Sequence, residues 1–110
     1  MNSIEDTGAI LAREFPDAFI NLMKNRVLQS YYKYGAAKDN FGGGRVDPIA
    51  TAMLCLDAFE KDKNAEHLID AANYLKFAFD FRLELGFTFR PTGDSESVGT
   101  VGTPINMEKE

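Results

Sequence analysis

Apolar residues recur at helical spacing along four stretches of the chain, and the strongest covers residues 64–86, NAEHLIDAANYLKFAFDFRLELG. Projected at 100° per residue, Leu68, Ala71, Ala72, Tyr74, Leu75, Ala78, Phe79, Phe81, Leu83 and Leu85 cover a broad apolar arc. Glu66, Asp70, Asn73, Lys76, Asp80 and Glu84 share a narrower polar arc. Three residues break the pattern. Ile69 and Phe77 lie in or at the edge of the polar arc, so that arc is expected to be covered by the first helix, the tail or another chain. Arg82 falls among apolar neighbours, where a guanidinium needs a carboxylate or carbonyl partner, or a place at the core's edge from which to reach water.

The preceding stretch, 48–61, is apolar nearly all round through Ile49, Ala50, Ala52, Met53, Leu54, Cys55, Leu56 and Phe59, which predicts a central helix. Asp47-Pro48 starts it, a capping side chain followed by proline at the first helical position. The polar turn KDKN joins it to the next helix, with Asn64 as the cap, and a loop this short makes the two helices antiparallel neighbours. Residues 16–34 place Phe19, Ile20, Met23, Val27, Tyr31 and Tyr34 on one arc, while Leu28 and Tyr32 stand among polar residues. Residues 3–14 form a short amphipathic helix with Ser3 as its cap, ended by Phe15-Pro16. The expected fold is all-α, a bundle of three main helices plus a short N-terminal one, over residues 1–91. Residues 92–110 read as a flexible or partner-ordered tail, preceded by a short extended piece at 87–89 that packs back on the bundle.

Composition narrows what this bundle does. Twelve Lys and Arg against seventeen Asp and Glu give a net charge of −5, which disfavours broad contact with a phosphate backbone. One cysteine and one histidine exclude an internal disulfide and any cysteine-rich or multi-histidine metal site. No run approaches the roughly 20 apolar residues of a membrane span, and the N-terminus is not a signal peptide, so a cytoplasmic protein is expected. The loop GAAKDNFGGGRV has three consecutive glycines but no preceding strand and no closing Gly-Lys-Ser/Thr, and it reads as a connection and not a phosphate cradle. Cys55 reads as a small buried hydrophobe.

The sequence HLIDAANYLKFAF resembles the second metal-binding helix of the all-α MazG-like nucleoside triphosphate pyrophosphohydrolases, where Glu-x-x-Asp is followed by Val-Ala-Asn and an aromatic residue. Asp70 and Asn73 match that motif; His67 stands at the position of its glutamate, and Glu66 is displaced by one residue. The family's Glu-x-x-Glu on the preceding helix is replaced here by IATAMLCL, with Asp57 and Glu60 nearer the turn. The resemblance implies Mg²⁺ held by acids on adjacent helices, with Asp57, Glu60, Glu66, Asp70 and Asn73 as the candidate ligands.

A second resemblance spans more of the chain. SYYKYGAAKDNFG, the AANY helix and GDSESVGTVG are similar to a class of small phage and prophage proteins. This implies a non-enzymatic binding protein without a cofactor, acting in the cytoplasm of a bacterial host on a host protein or nucleoprotein complex, such as a CRISPR nuclease of the defence system. Leu28, Tyr32, Ile69 and Phe77 are then the candidate binding surface. The doubly apolar last helix and the very apolar one before it also predict self-association.

Overall fold

The polar punctuation of the chain sets its helices: α1 (Thr7–Glu14), α2 (Ala18–Tyr34), α3 (Pro48–Asp62) and α4 (Glu66–Asp80), with a π-helical turn at Lys38–Gly42 between α2 and α3. The computed structural model describes residues 4–93, and no strand occurs among them. The fold is an all-α bundle of three main helices with a short N-terminal one. The expected tail at 92–110 lies almost wholly outside the described residues, as does Ser3.

The start of α3 follows the sequence closely. Asp47 accepts hydrogen bonds from the N–H groups of Ile49 and Ala50, both at 3.1 Å, and Pro48 occupies the first turn. Its end is tied to the start of α4 by the expected polar turn. Lys63 adopts a left-handed conformation, φ 57°, and its N–H donates to the Phe59 carbonyl. Asn64 Oδ1 accepts from the Glu66 N–H at 3.0 Å, satisfying one of the open donors at the start of α4. Asp62 accepts from the Asn64 N–H at 2.9 Å and stands 2.9 Å from His67 Nε2, which clamps the turn from both sides.

The central helix is α4, which overturns the expectation for α3. Helix α3 packs extensively on α4, α2 packs on α4 from elsewhere on its circumference, and α2 and α3 share little. Of α3 only Pro48 and Ala52 are buried, and Met53, Leu54 and Leu56 stay exposed, Leu54 at 66%. Helix α4 by contrast buries Ile69, Ala71, Asn73 and Ala78. A helix flanked by two others must be apolar on two sides, which is why Ile69 and Phe77 sit where a simple amphipathic helix would be polar. The arc is covered, but the cover comes from α2 and the π-turn of the same chain and not from the first helix, which buries none of its residues.

The glycine-rich connection is more ordered than a loop. Its π-turn inserts Phe41, 7% exposed, against α4. The Phe41 ring stacks on Phe77 at 4.7 Å and 16°, lies at 6.5 Å from Phe81, and meets Tyr74 edge-on at 5.9 Å. Gly43 is required for this path, since a Cβ there would stand 2.5 Å from the Asp39 carbonyl oxygen. The connection is closed by the Val46 N–H donating to the Asn40 carbonyl at 2.9 Å. Asn40 Nδ2 in turn donates to the Tyr34 carbonyl at 3.2 Å, one of the open acceptors at the end of α2.

Helix α4 stops at Asp80, short of the end of the 64–86 stretch that carries the helical pattern, and a turn follows to Gly86. Arg82 finds the carbonyl partner that its position demanded. Its Nη1 donates to the Phe79 carbonyl at 2.9 Å, and the guanidinium lies 4.3 Å from the centre of the Phe79 ring. Phe89 meets the same exposed ring edge-on at 6.1 Å but stays 71% exposed, so the 87–89 segment touches the end of α4 without burying against the bundle. Helix α1 buries none of its residues; Leu11 and Phe15 remain exposed, and Arg13 is held on the surface by Glu5 and Glu14.

Candidate functional site

Where α2, the π-turn and α4 converge they enclose a cleft of about 400 Å³. Five aromatic rings wall it, those of Tyr31, Tyr34, Phe41, Tyr74 and Phe77, with Val27 and Val46 between them. Its polar lining comes from Ser30, Asn40 and Asn73, and its charged lining from Arg26 and Asp70. A concave, mainly apolar site with a few converging polar groups is the usual form of a small-molecule pocket, and this volume lies within the range such pockets take.

The charged pair spans the bundle. Arg26 Nε donates to Asp70 Oδ1 at 3.0 Å and Nη2 donates to Oδ2 at 3.1 Å, a two-pronged arrangement that fixes α2 against α4. Glu66 lies 3.6 Å from Arg26 Nη1 at the outer edge. The hydrogen bonds to Asp70 raise the Arg26 pKa against the opposing effect of burial. Tyr74 is also pushed up, first by burial and then by Cys55, Asp70 and Tyr34, so its hydroxyl stays protonated and available as a donor. Cys55 is half-buried rather than buried, and burial followed by Asp70 pushes its thiol up as well, away from the reactive thiolate.

Asn73 is the most unusual group here. It is 7% exposed, and its Nδ2 donates to the Met23 carbonyl on α2 at 3.0 Å. Its Oδ1 is shielded and accepts no hydrogen bond. A buried acceptor without a donor is rare in a folded protein and costs on the order of 1–3 kcal/mol.

The acids expected to hold Mg²⁺ are not gathered. Asp57 and Glu60 are exposed on α3, Glu66 is exposed beside Arg26, and both oxygens of Asp70 are engaged by Arg26. Among the described residues no group of three or more His, Cys, Asp or Glu is placed to hold an ion. The donor set as folded therefore does not fit the metal that the resemblance implies. The expected binding surface also divides. Leu28 and Tyr32 are exposed on α2, at 57% and 83%. Ile69 is 8% exposed and leaves the surface, while Phe77 is half-buried, stacked on Phe41 and lining the cleft away from Leu28 and Tyr32. Beside Leu28 runs an apolar groove of about 610 Å³, lined by Ile20, Met23 and Val27 with Lys24 and Lys76.

Sequence reading missed Arg26, Phe41 and Tyr74 as parts of one site. Arg26 projects at the edge of the α2 core arc beside Phe19, and that placement was the available signal for a partner on another helix. Phe41, the one aromatic residue in a glycine-rich connection, was the signal for insertion. No family model, curated protein or solved structure matches this chain. No helix among the described residues is long and apolar enough to cross a membrane.

Proposed function

We propose that this chain is a non-enzymatic binding protein whose exposed apolar helix faces are completed by another protein chain. The observation that carries this reading is the outer side of α3, where Met53, Leu54 and Leu56 are exposed together on a helix that is apolar nearly all round. Burial of apolar side chains contributes about 25 cal/mol per Å², so a contiguous exposed set of this kind favours association. The groove beside Leu28 adds a second apolar surface on α2. The similarity to small phage proteins supplies the partner class, a host protein or nucleoprotein defence complex that the binder inhibits. Association between copies of the chain through the same α3 side belongs to this reading too.

The test pairs the wild-type chain with Leu54→Glu, which places a charge on an exposed site without disturbing the interior. A host protein retained from a bacterial lysate by the wild type and released by Leu54→Glu supports the proposal, as does a multimer by light scattering that the variant converts to monomer. Retention unaffected by Leu54→Glu, together with a monomeric wild type, counts against it. Pyrophosphate release from nucleoside triphosphates with Mg²⁺, lost in Asp70→Ala, would overturn the binding reading in favour of a MazG-like hydrolase.

A further inference from the structure

We infer that the apolar groove on α2 is the docking site of this chain's own residues 104–110, with Ile105 and Met107 on its floor and Glu108 and Glu110 facing its lysines. The inference does not rest on the partner reading above, which the α3 side carries. Ile20, Met23, Val27 and Leu28 line the groove, and Lys24 and Lys76 stand at its edges. Lys76 is paired with Asp80 one turn further along α4, whereas Lys24 joins no ion pair among the described residues. The groove is thus an apolar floor beside a cation without a counter-charge.

Three properties of the chain point to its own end as the occupant. The first is delivery. Phe89 lies against Phe79, and Phe79 is the i+3 neighbour of Lys76 on the surface of α4, so the chain leaves the bundle beside one end of the groove. From Phe89 to Ile105 an extended chain spans up to roughly 50 Å at about 3.3 Å per residue, far more than the single helical turn between Phe79 and Lys76. The second is apolar content. Ile105 and Met107 are the largest apolar residues of 94–110; Val98 and Val101 are smaller, and each is followed by a glycine that loses more freedom on docking. Pro104 restricts the chain just before Ile105 and lowers that cost. The third is charge. Residues 94–110 hold Asp94, Glu96, Glu108 and Glu110 against Lys109 alone, an acidic segment for a groove with basic edges. A segment of the same chain is also presented at a high effective concentration, so contacts of this modest size suffice to seat it.

The experiment places a nitroxide on residue 109 of the full chain, through Lys109→Cys in a Cys55→Ser background, and follows methyl signals of isotope-labelled protein by NMR. The nitroxide should quench the signals of Ile20, Met23 and Leu28 and spare those of Met53 and Leu54, which are exposed on α3. Ile105→Asp should restore the α2 signals, and Lys24→Glu should restore part of their intensity. A mixture of unlabelled nitroxide-bearing chain with isotope-labelled chain lacking the nitroxide should show no loss. Quenching in that mixture overturns the proposal by putting a second copy in the groove. Absence of quenching on α2 overturns it in favour of a groove open to another protein. Equal quenching on α2 and α3 also overturns it, as does quenching that Ile105→Asp or Lys24→Glu leaves unchanged. A measurement without the label stands beside these: Ile105→Asp in the otherwise wild-type full chain should shift the Met23 and Leu28 methyl signals, and unmoved signals overturn the proposal on their own.

Discussion

At the scale of single residues, Asp62 shows how a sequence turn signal becomes a pH-dependent contact. Its carboxyl is held below the ordinary carboxylate range, first by the Asn64 N–H and then by the His67 ring. Because the folded value lies below the unfolded one of about 3.9, the stabilising contribution is complete above that range and is lost as pH falls through the lower folded value. Asp62→Asn should therefore melt earlier than the wild type at pH 6, with the difference vanishing as both are taken to pH 2. Thermal unfolding followed by circular dichroism across that interval checks it, and a difference independent of pH would show that the clamp is not ionic. Asp62 is exposed, so water screens the contact and the effect is small. Local chemistry of this kind was legible beforehand. The Asp47-Pro48 start and the KDKN turn are present, and Asn64 accepts from the Glu66 N–H one residue before the cap position at Ala65, because each depends on residues within three or four positions of one another.

At the scale of elements, long-range pairs decide what the local pattern leaves open. Apolar count alone placed α3 at the centre, yet α4 is central because α2 and the π-turn dock on its second side. The contacts that dock them, Arg26 with Asp70 and Phe41 with Phe77, join positions far apart in the chain and leave no periodic trace in it. The same pairs explain the candidate site. Asp70 and Asn73 were visible as a motif, but the arginine and the helix carbonyl that engage them were not. The π-turn can be tested directly. Phe41 is nearly fully buried and touches three rings, so Phe41→Ala should cost about 3 kcal/mol, the lower end for deleting a buried phenylalanine beside an open cleft. Denaturant unfolding measures this, and amide exchange should quicken first over residues 36–46. A loss under about 1 kcal/mol would mean that the turn is dispensable to the bundle.

At the scale of the whole molecule, burial is uneven, and this divides folding from association. The described core consists of Phe41, Ala52, Ile69, Ala71 and Ala78 with Pro48 and Asn73, all of it on α3, α4 and the π-turn that precedes α3. Helix α2 adds half-buried Met23, Arg26 and Val27 against α4, and α1 adds nothing buried. An eight-residue helix is too short to be stable in water from its own hydrogen bonds, so packing normally holds such a segment in place. Here the packing is missing on the bundle side: Leu11 on the helix, and Ile4 and Phe15 beyond its two ends, are all exposed. Removing residues 1–15 should shift the stability of the bundle by under about 0.5 kcal/mol, or a few degrees in Tm, because α1 contributes no buried residue to the core. Circular dichroism melts of the full and shortened chains at equal concentration make the comparison. A fall of 2 kcal/mol or more would place α1 on the bundle in solution and overturn the division, whereas an unchanged melt together with weakened capture of a partner would assign α1 to the binding surface.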